Sequence, residues 1–131
     1  MTEEKELTKE EKIDANLQLE KKTLAELDDL EHEERRLSRL SDQVANTEGE
    51  TRQFLQHLEL LPLSPSSLQG VQEVHSDMTL FHRYLHEALE KQETDLKKGK
   101  KELNDSLDNL YHERQRLAQE EEKKEERLDG D

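Results

Sequence analysis

The sequence predicts an all-α protein: two long antiparallel helices folded into a coiled-coil-like helical hairpin. Three observations carry this. Apolar residues recur three, four or seven apart in two long runs, the spacing that lines one side of an α-helix. Pro62 and Pro65 separate the runs. Of the 131 residues, 41% are charged and only 29% hydrophobic, too few for a globular core but sufficient for a narrow helix-to-helix stripe.

In chain order, residues 1–7 have no periodicity and are expected to fray. Thr8 with Glu11 forms a capping-box pattern, in which hydroxyl and carboxylate each satisfy an otherwise orphaned amide. A first helix over about 8–61 follows, with the stripe Ile13, Leu17, Leu24, Leu27, Leu30, Leu37, Leu40, Val44, Phe54, Leu58 and Leu61. Between Ala45 and Thr51 the stripe is empty and Gly49 intervenes. One glycine costs only about 1 kcal/mol in a helix, so a bend or loosened turn is expected there, short of a break. A turn over 62–66 is set by the two prolines, each of which removes an amide donor and pushes its predecessor out of helical geometry. Ser66, three before Gln69, reads as the next cap and opens a second helix over about 67–126, with Gly130 just past its end.

A short loop between long helices makes them antiparallel neighbours. A reversal at 62–65 requires facing residues whose numbers sum to about 127. Leucines and their kin satisfy this: Leu17 opposite Leu110, Leu24 opposite Leu103, Leu30 opposite Leu96, and Leu37 opposite Leu89. Nearer the turn, Leu40 falls opposite Leu85 and Val44 opposite Phe81. These twelve residues are the predicted hairpin seam. The interval Leu85–Leu89–Leu96 reads as an eleven-residue stutter, a local unwinding of the supercoil.

The formal charge of −14 disfavours nucleic acid and anionic membrane as partners, because phosphate attracts basic surfaces. No apolar run approaches membrane-spanning length, so direct membrane insertion is not expected, and the N-terminus lacks the apolar core of a secretory signal. A cytoplasmic location is expected, with co-export by a route that ignores classical signals left open. Without cysteine there are neither disulfides nor thiolate metal sites. His82 and His86 share a helical face with His75 nearby, but the His-Glu-x-x-His pattern is missing, since His86-Glu87-Ala88-Leu89 is followed by Glu90. Solvated or partner-facing imidazoles are the plainer reading. Carboxylates abound, yet a catalytic acid needs a desolvated pocket that two helices do not supply. No cofactor, metal site or enzyme activity is expected.

Apolar residues off the predicted seam are more informative. Phe54, Leu55, Leu80, Tyr84 and Tyr111 widen the stripe and are the predicted partner interface. Scattered exposed apolar residues are ordinary on protein surfaces, whereas a second contact face for another helical protein needs such residues in groups.

The segment Leu96-Lys97-Lys98-Gly99-Lys100-Lys101-Glu102-Leu103, continuing through Leu110-Tyr111-His112-Glu113-Arg114-Gln115-Arg116-Leu117, resembles a known family. So does the first arm, Ile13 through Leu40, with its Glu-Glu-Arg-Arg-Leu run. The family comprises the small helical proteins encoded beside Leu-X-Gly toxins of the type VIIb secretion system in Gram-positive bacteria. The resemblance implies a WXG-like hairpin that binds the helical N-terminal domain of a cognate secreted toxin, together with a second small helical protein. It implies the role of an adaptor, targeting factor or dedicated chaperone promoting export of that toxin. Two features depart from the wider pattern. Tryptophan is absent, so a Pro62–Pro65 turn stands where WXG proteins have Trp-x-Gly. No aromatic is followed four residues on by an acid: Phe54 precedes Leu58, Phe81 precedes Leu85, Tyr84 precedes Ala88 and Tyr111 precedes Gln115. Any export signal of that kind is therefore expected from a partner. The alternative reading is a homodimeric coiled-coil structural protein with no toxin client.

Overall fold

In the computed structural model, which describes residues 7–129 (for 121 and 124–129 the backbone only), the chain forms two α-helices packed against each other as a helical hairpin. Helix α1 spans Lys9–Glu59 and α2 spans Pro65–Asp129, and no strand occurs among the described residues. The expected fraying of residues 1–6 and the stop at Gly130 lie outside the described residues.

Helix α1 starts where a side chain can replace the missing helical partners. Thr8 accepts the Glu11 amide on Oγ1 at 3.2 Å and the Lys12 amide on its carbonyl at 3.0 Å. Helical hydrogen bonding then continues through Ala45–Thr51, so no turn is loosened at Gly49. A single glycine's cost is small against the neighbouring turns. The C-terminus tightens: the amides of Leu60 and Leu61 reach back only three residues, to His57 and Leu58, at 3.2 Å each. The Leu63 amide then donates to the Leu61 carbonyl at 2.8 Å, a three-residue γ-turn centred on Pro62.

Helix α2 begins earlier than expected, and its cap is Ser64 rather than Ser66. Ser64 Oγ accepts the Ser67 amide at 3.2 Å, and its carbonyl accepts the Leu68 amide at 2.9 Å. Pro65 therefore occupies the first helical position, where an amide donor would have no partner anyway and where its fixed φ suits the helix. The Gln69 amide group instead reaches Glu73, 3.5 Å away.

The helix pair divides into two compact units: Met1–Glu31 with Lys98–Asp131 (unit 1), and His32–Lys97 (unit 2). In both, most residues withdrawn from solvent on α1 follow an alternating three-and-four step; the place due at Ser41 is exposed, and half-buried Glu31 lies off the step. In unit 1 the step runs through Ile13, Asn16, Glu20, Thr23, Leu27 and Leu30; in unit 2, through Glu34, Leu37, Val44, Glu48, Thr51, Leu55 and Leu58. This is a heptad seam, with the two inward positions of each repeat conventionally lettered a and d. Half of it is polar.

That polarity overturns part of the predicted seam. Leu30, Leu37 and Val44 on α1, and Leu85, Leu89, Leu96, Leu103 and Leu110 on α2, are half-buried as a seam requires. Leu17, Leu24, Leu40 and Phe81 are exposed: Asn16, Thr23 and His82 hold the seam phase beside the first, second and last, and beside Leu40 that phase falls on Ser41, itself exposed. Leu37 and Leu89 line one groove, and Leu40, Val44, Phe81 and Leu85 line another, so the facing register near the turn is as the numbering predicts. The expected stutter at 85–96 is displaced. Half-buried residues step by three and then twice by four through Leu96, Gly99, Leu103 and Leu107, so the eleven-residue interval lies there.

In unit 1, Asn16 is 3% exposed; its Nδ2 donates to the Leu110 carbonyl at 2.9 Å and reaches Glu113 Oε2 at 3.5 Å. Glu20 forms an ion pair across the seam with Arg114. Thr23 satisfies its hydroxyl on its own helix, donating to the Leu19 carbonyl at 2.7 Å. Leu117 is the unit's buried apolar residue, and Leu30 lies so close over α2 that a Cβ on Gly99 would come within 3.2 Å of its Cδ1. Glycine at 99 is a close-approach residue.

Candidate protein-binding surface

Writing the heptad abcdefg, the g positions of two antiparallel helices flank the seam on one side and the e positions on the other. In unit 2 this splits the surface into two unlike sides. On α1 the g positions from residue 40 onward are Leu40, Thr47 and Phe54, with Leu61 following two residues past the helix end at Glu59; on α2 they include Val74, Phe81 and Ala88. Leu40, Gln43, Val44 and Thr47 share a groove of about 250 Å³ with Phe81, His82 and Leu85, which places both g rows on one face. Tyr84, three residues after Phe81, extends the same strip of α2. Phe54 is 62% exposed, Tyr84 61% and Phe81 56%, and Leu40, Leu61 and Val74 are exposed as well.

The opposite side carries the charge. A groove there is lined by Glu34, Ser38, Asp42, His86, Glu90 and Glu93 over a floor that includes Leu37, Leu89 and Leu96. His86 Nε2 and Glu48 Oε2 are 2.7 Å apart, and Arg52 reaches Glu48 Oε1 at 3.2 Å. The hydrogen bond from His86 holds the Glu48 carboxyl below its ordinary value of 4.5, with the nearby charges of His86, His82 and Arg52 acting in the same sense and partial desolvation opposing them.

The remaining histidines singled out from sequence are tied to local partners. His82 is buried and its Nδ1 lies 2.8 Å from the Met78 carbonyl one turn back. His75 Nδ1 stands 3.8 Å from Glu59. Among the described residues no group of three or more His, Asp or Glu side chains is placed to hold a metal ion, and no helix is long and apolar enough to cross a membrane.

The five residues of the predicted partner interface separate. Phe54 and Tyr84 stand exposed on the apolar face of unit 2. Leu55 is 4% exposed and belongs to the seam, because the heptad phase points it inward and turns Phe54 out. Leu80 is exposed but lines a shallow groove with Ser76, Thr79 and Arg83, away from Phe81. Tyr111 is exposed in unit 1, its hydroxyl accepting a hydrogen bond from Gln115 at 2.8 Å. Sequence reasoning assigned Phe81, Leu40 and Leu17 to the seam when they belong to exposed flanks. The three-and-four step was the signal, visible only when polar residues are allowed inside.

No family model matches the chain, and neither curated proteins nor solved structures yield a match.

Proposed function

We propose that this chain is an adaptor: a targeting factor or dedicated chaperone that binds the helical N-terminal domain of a secreted toxin and promotes its export by a type VII secretion system. The observation that carries the reading is the one-sided apolar face of unit 2, where Phe54, Phe81 and Tyr84 each leave more than half their surface in water. Large exposed aromatics grouped on one face mark binding sites for other proteins. The resemblance of Leu96–Leu117 and Ile13–Leu40 to the partners of Leu-X-Gly toxins supplies the identity of the client and of a second small helical protein in the complex. On this reading the chain acts by recognition rather than chemistry, without cofactor.

The test is genetic and biochemical together. Deleting the gene should abolish export of a toxin encoded beside it, and the purified chain should co-elute with that toxin's helical domain. Undiminished export from the deletion strain would end the proposal. The homodimeric structural reading draws on the same exposed face, which a second copy could cover. Sedimentation decides between them: a tight homodimer that ignores helical toxin domains establishes the structural role.

A further inference from the structure

We infer that the apolar face of unit 2 is a furrow for one amphipathic helix of a partner, with basic residues flanking that helix's apolar stripe, and that the occupant is not a second copy of this chain. This rests on the adaptor reading and specifies its contact. Both walls repeat every seven residues: Leu40, Thr47 and Phe54 on α1, with Leu61 just past its end, and Val74, Phe81 and Ala88 on α2. A groove shared by Leu40, Thr47, Phe81 and Leu85 lies between them over residues 40–47 and 81–85. A third helix with its own heptad stripe fits two parallel rows of that period.

Area and charge select the occupant. Six large apolar side chains on this face are each roughly half exposed, and at ~150–200 Å² per side chain they present about 500–600 Å² of apolar surface. Interfaces are roughly 60% apolar, so the whole contact is about 800–1,000 Å² on this side, the size of a specific stable interface. The c and g positions framing the furrow carry Glu33, Glu50, Asp77 and Asp95 against Arg36 and Lys91. The frame is net acidic, and the chain as a whole is at −14. A second copy would set acid against acid, whereas lysine or arginine beside the partner's stripe meets the frame favourably.

The probe is a synthetic four-heptad peptide with leucine at a and d and lysine at e and g, labelled for fluorescence anisotropy with the full-length chain in about 150 mM salt. Micromolar binding is expected, weakened at least tenfold when glutamate replaces the lysines, or when the lysine peptide's order is scrambled to destroy the heptad. Equal binding of either control overturns the inference. Phe54→Ser with Phe81→Ser should weaken binding at least tenfold while helicity by circular dichroism is kept. If that variant loses helicity, a photoreactive group on the peptide maps the contact on the unaltered chain: crosslinks confined to 40–61 and 74–88 support the furrow, and crosslinks elsewhere overturn it. A micromolar homodimer dissolved by the double substitution also overturns it, since the face would then be self-covered. Failure of the peptide to bind, in a strain where toxin export still requires the gene, sinks the furrow and leaves the adaptor standing.

Discussion

Unit 1 and unit 2 use the same two helices and both mix polar with apolar residues in the seam, yet they differ in how their polar groups are paired and in where aromatic surface is left exposed. Unit 1 puts polar groups inside. Asn16 is almost fully buried with its amide donating to Leu110 and Glu113 of α2, its Oδ1 is buried without a partner, and Glu20 and Arg114 pair across the seam. Such groups add little stability, and in coiled coils a buried Asn is the best-attested device for fixing register. Unit 2 also encloses polar groups, with His82 buried and Glu34, Glu48 and Thr51 half-buried in its seam, but it leaves Phe54, Phe81 and Tyr84 uncovered on one face. One unit is specified from within. The other has surface left over for a partner.

The largest test of that contrast is truncation of the buried leucines. Leu55→Ala and Leu117→Ala should each cost about 2–3 kcal/mol in chemical denaturation, the lower part of the range for leucine truncation because the seam is thin. Equal costs would say that the two seams pack equally well. Next comes Asn16→Leu, which removes the unpartnered Oδ1. It should raise stability by about 1–2 kcal/mol and loosen helix register, read by cysteine pairs introduced across unit 1, whose disulfides would form in more than one alignment. Destabilisation instead would mean that the bond to Leu110 does more than fix alignment.

Glycines sharpen the comparison at smaller scale. Gly49 in unit 2 has open space where a Cβ would stand, so Gly49→Ala should stabilise by about 0.5–1 kcal/mol. Gly99→Ala in unit 1 meets Leu30, and the resulting crowding should cancel that gain, leaving the melting temperature unchanged. The smallest effect is pH-dependent and confined to unit 2. Glu48 titrates below its unfolded value of 4.5 when folded, so its contribution is complete above 4.5 and disappears as pH falls through the lowered folded value. Thermal melts of the chain and of Glu48→Gln should therefore converge on acidification below 4.5. Parallel curves would show that the carboxylate contributes nothing specific.

Much of this was legible beforehand. Leucine spacing gave two helices, the proline pair placed the reversal, and numbers summing to about 127 aligned Leu37 with Leu89 and Leu40 with Leu85. What failed was phase. Tracking the seam by apolar residues alone put Leu17, Leu24 and Phe81 in the seam and Leu55 outside it. Polarity of a seam residue is set by whether its hydrogen bonds can be met in place, as at Thr23 and His82, which bond carbonyls one turn back on their own helices. That depends on geometry no hydropathy pattern records. The Ser64 cap was missed for a similar reason: Ser66 has the better sequence pattern, but Pro65 is the residue preset to begin a helix.

The reversal between Glu59 and Pro65 also orders events in time. It ties together partners of very different chain separation, 38 residues for Glu48 and His86 but 94 for Asn16 and Leu110. Closing the longer loop from the open chain costs about 0.8 kcal/mol more in entropy. Zippering therefore starts beside the prolines and travels toward the termini, so the alignment imposed by Asn16 is the last to be inspected during folding and the first to be surrendered when the chain opens.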